Sequence, residues 1–336
     1  MLTRSSRLLP PLQAACLRAV PHVQKLSTAV RVEDDEQSGV KVLTLDRPDS
    51  LNAMTVEMGD AVQASVAQLS QLPPSELRAL VITGAGRAFS AGGDMRFLHE
   101  RREATPTDNA DVMLNFYRRF LSIRSLPVPI ICCVNGPAIG AGACFAMAAD
   151  VRFTHAAAKI GFTFVGLGLH PGMGATHSLP AAVGPQVQAR SHAACQRRPA
   201  ALHCCPPRSP PAPRRQVAAL SPCYPIPGPN QVAARLLLSG DLLSGTDAAA
   251  AGLVAASLPD GEAAMTEALA LARRVAMQSP LAVRATLRTL RQRADADLAR
   301  ALLREADAQA QSYASADYAE GLGAVRAKRT PSFEGA

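Results

Sequence analysis

Residues 134–153 read VNGPAIGAGACFAMAADVRF, and this stretch decides how the chain is expected to fold. It belongs to an uncharged run over residues 125–149, which is long enough to be mistaken for a membrane segment of about 20 residues. Asn135, Gly136 and Pro137 interrupt the run in its middle. We therefore predict a buried strand, a turn and a buried helix, and no membrane span.

Similar apolar segments lie on the N-terminal side of this stretch. LRALVITGAG at 77–86 and PVPIICCVNG at 127–136 both read as buried strands, and GVKVLTLDRPDSLNAM at 39–54 passes from a strand into a helix. Strands that alternate with helices predict an α/β fold of βαβ units with right-handed crossovers. From about 262 to 312 the pattern is continuously helical.

The net positive charge of the chain comes from two segments. The formal net charge is +8, yet residues 1–32 and 187–230 carry eleven basic residues and no acid, which leaves −3 for the remainder. The folded body is therefore expected to be mildly acidic. A basic pI that arises in this way does not indicate a nucleic-acid partner.

The two basic segments also suggest how the chain is divided. Residues 1–32 are rich in Arg, Ser and Leu and lack the apolar core of a secretory signal, which predicts a mitochondrial transit peptide and a matrix location, with a chloroplast as the alternative. Residues 187–231, rich in Pro, Arg and Cys, predict a disordered insert within a core of 33–261. Residues 262–336 form the C-terminal helical region. None of the eight cysteines forms a CxxC pair, so no metal site is predicted.

The stretch RAFSAGGDMRFL at 87–98, together with 134–153, resembles the crotonase family, which is also called the enoyl-CoA hydratase/isomerase family. The resemblance covers about 30–186 and 232–336. It implies a crotonase-like spiral of ββα units whose helical C-terminal region makes a homotrimer or hexamer. It also implies an acyl-CoA thioester as substrate, with coenzyme A as part of that substrate and no other cofactor.

The resemblance further implies an oxyanion hole. The matching backbone N–H groups are those of Gly93 in AGGD and Ala141 in GAGA. Two such donors would hold the thioester oxygen while negative charge develops on it, and the start of the GAGACFAMAA helix would add its dipole. Small residues at these positions let the backbone approach the oxygen closely.

Four further residues match family positions that bind coenzyme A. Arg87 and Arg96 flank the AGGD loop and would hold phosphates, which guanidinium groups grip with paired donors. Ala91 would present its carbonyl to the adenine. Lys328, in RAKR, matches a lysine that often reaches coenzyme A from a neighbouring subunit.

The acids that the family uses for proton transfer are missing. The positions of the two hydratase glutamates hold Cys144 and Phe164, and a position used by isomerases holds Gly172. No Asp or Glu occurs between Asp150 and Asp241, so no shift of the alignment restores them. Because general acids and bases contribute roughly 10²–10⁴ each, ordinary hydration is not expected.

The sequence offers other candidate residues for proton transfer and is compatible with several functions. His170 could transfer protons, although a structural histidine is the more common case. The thiol of Cys144 lies on an apolar helix, which favours an inert core cysteine. A double-bond shift, a decarboxylation or a thioester hydrolysis suits an oxyanion hole without acids. The alternatives are an acyl-CoA-binding homologue that does not catalyse a reaction and an RNA-binding member of the family.

Overall fold

The computed structural model describes most of the chain, in three ranges: residues 29–37, 39–184 and 230–336. The predicted insert at 187–231 lies almost entirely outside these residues, and so does most of the predicted leader at 1–32. Both stay predictions. The first strand begins at Val30, whose side chain is buried, so a leader of that length would include three residues of the sheet.

The main sheet has six strands. They are β1 (Val30–Asp34), β2 (Val40–Leu45), β3 (Ala79–Gly84), β4 (Ile130–Val134), β6 (Val151–His155) and β9 (Ala256–Leu258). They lie in the order β1-β2-β3-β4-β6-β9; β1 and β2 are antiparallel, and every other neighbouring pair is parallel. The two apolar segments predicted as buried strands form β3 and β4, which occupy the centre of the sheet. Such continuous apolar runs are typical of parallel strands covered on both faces.

A smaller sheet lies beside it. Its strands are β5 (Ala138–Ile139), β7 (Lys159–Gly161) and β8 (Leu242–Ser244). In this sheet β5 and β7 are parallel, and β7 and β8 are antiparallel. The short β5 ends at residue 139, so it fixes the backbone just before the glycine-rich turn.

The helices connect and cover the sheets. They are α1 (Val56–Leu69), α2 (Met95–Glu100), α3 (Pro106–Leu121), α4 (Ala141–Met147), α5 (175–184, where the described range ends), α6 (Gln231–Ser239), α7 (Gly245–Ala251), α8 (Gly261–Ala276), α9 (Pro280–Tyr313) and α10 (Ala316–Ala327). The helical region predicted as continuous is divided between α8 and α9. The division falls before Pro280, which has no backbone N–H and starts α9 at a position where none is needed. Among the described residues, no helix is long and apolar enough to span a membrane.

Apolar side chains cover both faces of the main sheet. On one face α8 packs through alanines that recur every four residues: Ala264, Ala268, Ala272 and Ala276. Small side chains at this spacing let the helix lie close against Val81 and Ile131. The opposite face carries the larger cluster, to which α3, α4 and α9 contribute. This larger layer contains the candidate site.

Candidate active site

A parallel bridge brings the two predicted oxyanion segments together. Ser90 pairs with Ala138; the N–H of Ser90 donates to the carbonyl of Pro137 at 3.0 Å. Gly93 and Ala141 each lie three residues beyond a bridge partner, and both line one cavity of about 310 Å³. The structure therefore brings both residues to the same space.

The backbone around Gly93 leaves its amide unused. Met54 donates to the carbonyl of Gly92 at 2.7 Å and accepts from the N–H of Asp94 at 3.1 Å. Since Met54 bonds to the residues on either side of Gly93, the N–H of Gly93 points away from Met54. It has no acceptor among the residues that the structure describes. An unpaired backbone donor at a cavity wall is available to a ligand.

Ala141 supplies the second amide from the first turn of α4. It follows Gly140, whose φ of 53° suits glycine, and its N–H has no acceptor within the described ranges. The two segments approach closely because residue 92 is a glycine. A Cβ there would lie 2.6 Å from the carbonyl oxygen of Ile139 and 3.7 Å from the nitrogen of Ala141. A side chain at 92 would push the donors apart.

Apolar side chains form most of the cavity wall. Met95, Phe97, Leu98, Met113 and Phe116 come from α2 and α3, while Phe164, Leu167, Leu169 and Met173 come from the loops around residue 170. The C-terminal helices close the wall with Gln309, Tyr313 and Val325. Among the lining residues, none has an ionisable acid or base other than the tyrosine phenols. Such a cavity excludes water and strengthens any hydrogen bond made inside it.

The three positions without acids lie in and around this cavity. Phe164 lines it directly. The Cys144 thiol donates to the carbonyl of Gly172 at 3.4 Å, so these two positions contact each other. Burial raises the pKa of Cys144 well above its usual range, so the sulfur stays a neutral thiol and a poor nucleophile.

Tyr117 occupies the space that a side chain at 172 would need. A Cβ on Gly172 would overlap the Tyr117 hydroxyl. That hydroxyl donates to Oε1 of Gln309 at 2.5 Å, and Nε2 of Gln309 donates to the carbonyl of His170 at 2.9 Å. Burial raises the pKa of Tyr117 well above its usual range, so it is a neutral phenol. The sequence analysis did not identify Tyr117 or Gln309.

His170 does not line the cavity. Its Nδ1 lies 2.6 Å from the carbonyl of Pro171, and its backbone N–H donates to Oγ of Ser312 at 3.1 Å. These contacts are those of a residue that joins its loop to α9. The structure therefore does not bring the predicted proton-transfer group to the two amides.

Glu305 is a buried carboxylate that the sequence analysis also missed. It lies on α9, 1% exposed, and accepts from the N–H of Gly174 at 2.5 Å and from the N–H and Oγ1 of Thr176 at 2.8 and 2.5 Å. These donors belong to the start of α5, so Glu305 caps that helix. Burial raises its pKa, against the effect of the three hydrogen bonds.

The residues predicted to bind coenzyme A lie on the surface. Ala91 lines the cavity and is exposed to solvent. Arg87 is also exposed but does not line the cavity. The Arg96 side chain is 90% exposed, and its Nε lies 3.3 Å from Oε1 of Glu100. Lys328 ends α10 in a left-handed conformation, three residues after the cavity-lining Val325 of the same chain.

With this geometry in place, comparison with known proteins gives the family. The chain belongs to the enoyl-CoA hydratase/isomerase family, whose model matches residues 35–201 and 219–336. The break in the match, 202–218, falls within the predicted insert. The family assignment and the crotonase fold with its helical C-terminal region are thus confirmed.

Individual relatives agree on the family and differ in activity. A probable enoyl-CoA hydratase, EchA14 of Mycobacterium tuberculosis, is 43% identical over 149 residues; the alignment covers 44% of this chain and 56% of that relative, so the chain spans only about half of its length. The 1,2-epoxyphenylacetyl-CoA isomerase of Escherichia coli is 31% identical over 89% of this chain and 96% of its own. An enoyl-CoA hydratase/isomerase structure from Pseudoalteromonas atlantica has a TM-score of 0.68 at 25% identity, covering 91% of this chain and all of its own.

Proposed function

We propose that the protein binds an acyl-CoA thioester with the thioester oxygen between the N–H groups of Gly93 and Ala141. The observation that carries the proposal is that Gly93 and Ala141, whose N–H groups have no acceptor among the described residues, both line one largely apolar cavity. Donors fixed in this way stabilise an oxyanion without rearranging during the reaction. The first turn of α4 adds the partial positive charge of its unpaired N–H groups.

We propose a reaction whose main catalytic contribution is stabilisation of the thioester oxyanion, and not hydration by paired carboxylates. Support comes from Phe164, which lines the cavity, and from Cys144 and Gly172, which contact each other; by the resemblance, these three residues occupy the family positions of the acids. The Tyr117 hydroxyl leaves no room for a carboxylate at 172. Glu305 is engaged by three donors at the start of α5. A double-bond shift, a decarboxylation or a thioester hydrolysis fits this wall.

Among these reactions we favour isomerisation. One Escherichia coli relative that aligns over most of both chains, at 31% identity, has the name of an isomerase, 1,2-epoxyphenylacetyl-CoA isomerase. An isomerase moves a double bond or rearranges an acyl group without adding water. A largely apolar cavity, lined on one side by residues of α9 and α10, suits that chemistry.

The test is a panel of acyl-CoA thioesters, with products identified by mass spectrometry. Crotonyl-CoA in the panel reports hydration through loss of the enoyl absorbance. We expect its turnover to fall more than a hundredfold below the roughly 10 s⁻¹ of a typical enzyme, while another thioester is converted without gain of water. Fast hydration of crotonyl-CoA would contradict the proposed reaction type.

A second candidate is a homologue that binds acyl-CoA and does not catalyse a reaction. The observation in its favour is that none of the described residues that line the cavity carries a carboxyl, imidazole or amino group. It predicts micromolar or tighter binding of a thioester by calorimetry and no product from any member of the panel. Turnover of a single thioester would exclude it.

We also propose a mitochondrial matrix location and a trimeric or hexameric assembly. A mitochondrial methylglutaconyl-CoA hydratase of Mus musculus is 27% identical over 91% of this chain, which supports the first proposal. Import of the full chain into isolated mitochondria with loss of an N-terminal segment tests it. Light scattering of the purified protein tests the second, and a monomer would contradict it.

A further inference from the structure

We infer that the acyl group is an uncharged hydrocarbon chain or ring, and that an acyl group with a second carboxylate is rejected. The inference rests on the proposed function and adds the chemical class of the acyl group. It removes decarboxylation from the three reactions named above, because that reaction needs a carboxylate on the acyl group. It follows from the side chains that surround the space beyond Gly93 and Ala141, and from how their polar atoms are already bonded.

Aromatic and thioether side chains surround the acyl space. Phe97 and Phe116 stack with ring centroids 4.9 Å apart, and Met113, from the same helix as Phe116, lines the cavity beside them. Phe164 and Met173 belong to the loop side of the wall. All five are buried, so an acyl group gains most by covering them with apolar surface.

Three side-chain donors at or beside this wall already have acceptors. The Tyr117 hydroxyl donates to Gln309 at 2.5 Å, and the Tyr313 hydroxyl donates to the sulfur of Met113 at 3.4 Å. The Cys144 thiol donates to a backbone carbonyl. A carboxylate would have to break one of these bonds to obtain a donor from them, and the Thr163 hydroxyl, which also lines the cavity, offers it a neutral donor only.

Two side chains of opposite charge, Glu305 and Arg101, lie near the wall, and neither of them lines the cavity. Glu305 lies close enough to raise the pKa of Tyr117 and of Cys144, and it would repel a second carboxylate. The guanidinium of Arg101 lies 5.0 Å from the ring centroid of Phe97, yet Phe97 lines the cavity and Arg101 does not. A carboxylate at the end of an acyl chain would therefore find no cation among the described residues that line the cavity, and a carboxylate buried without a cation is among the most costly states of that group.

The experiment compares hexanoyl-CoA with adipyl-CoA, which both have six acyl carbons and differ by the terminal carboxylate. Isothermal calorimetry with the full chain, at neutral pH and constant salt, gives the two dissociation constants, and free CoA gives the contribution of the nucleotide. We expect hexanoyl-CoA to bind at least about a hundredfold more tightly than adipyl-CoA. Equal affinities, or tighter binding of adipyl-CoA, would overturn the inference and leave the proposed function intact. Failure of both thioesters and of free CoA to bind would instead overturn the proposed function.

A variant of the wall gives an independent check. Met113→Lys introduces a cation into the acyl space, and Met113→Leu is the matched apolar control. The preference for hexanoyl-CoA should fall at least tenfold in Met113→Lys and stay within about threefold in Met113→Leu. An unchanged preference in a folded Met113→Lys protein would argue against an acyl group beside Met113. If Met113→Lys does not fold, the ratio of the hexanoyl-CoA and adipyl-CoA affinities of the unaltered protein decides whether the inference holds.

Discussion

Replacing Ala141 by proline removes one oxyanion donor with little other change. Ala141 is the first residue of α4, and proline is favoured at this position because its missing N–H and fixed φ suit the helix start. The N–H of Ala141 has no acceptor among the described residues, so Ala141→Pro loses no hydrogen bond of the fold. The free energy of unfolding should change by about 1 kcal/mol or less.

The effect on catalysis should be much larger. Losing one of two oxyanion donors costs on the order of 10²–10³ in kcat, or about 2.7–4 kcal/mol of transition-state stabilisation. The assay uses the thioester that the panel shows to be converted fastest, with kcat and KM measured separately and urea unfolding followed by circular dichroism. Ala141→Gly, which keeps the N–H, is the control and should retain activity within about tenfold. A folded Ala141→Pro protein with less than a tenfold loss in kcat would refute the role of this amide.

Three further predictions test other parts of the site. Arg87→Ala and Arg96→Ala should each weaken the binding of CoA thioesters several-fold and leave the binding of short N-acetylcysteamine thioesters unaffected, because only CoA carries the phosphates that these arginines would contact. Equal effects on both kinds of thioester would exclude a phosphate-binding role. Gly172→Ala should lower the free energy of unfolding by about 1–3 kcal/mol through overlap with Tyr117, and Tyr117→Phe in the same chain should recover part of it, which a urea double-mutant cycle measures. The pKa of Glu305 is raised in the folded protein, so the protonated side chain stabilises the fold below its unfolded pKa, and this contribution is lost as the pH rises through its folded pKa. The free energy of unfolding of the unaltered protein should therefore fall from pH 4 to pH 7 relative to that of Glu305→Gln. A difference between the two proteins that stays constant with pH would contradict the raised pKa.

The sequence predicted those parts of the fold that local patterns determine. The apolar runs around Val81 and Ile131 are β3 and β4, and the interruption at Gly136 and Pro137 separates β4 from α4 as expected. The oxyanion segments were predicted from the resemblance of AGGD and GAGA. The structure adds the register of the Ser90–Ala138 bridge, which brings their two amides to one cavity.

The rest of the site depends on packing between distant segments. Tyr117 and Gln309 are 192 residues apart, and neither α3 nor α9 has a sequence feature that indicates their contact. Glu305 could not be identified from its own helix, since its partners lie at the start of α5. The absence of acids near Gly172 was visible in the sequence, but its steric reason, the Tyr117 hydroxyl, was not.

We propose that the N–H groups of Gly93 and Ala141 hold one thioester oxygen. Infrared difference spectroscopy of bound hexanoyl-CoA, with ¹³C at the thioester carbonyl, measures this contact without any turnover. Two hydrogen bonds should lower the carbonyl stretching frequency clearly below its value in water, and Ala141→Pro should reverse a large part of that shift while hexanoyl-CoA stays bound. A carbonyl frequency equal to that in water, or one that Ala141→Pro leaves unchanged, would contradict the account.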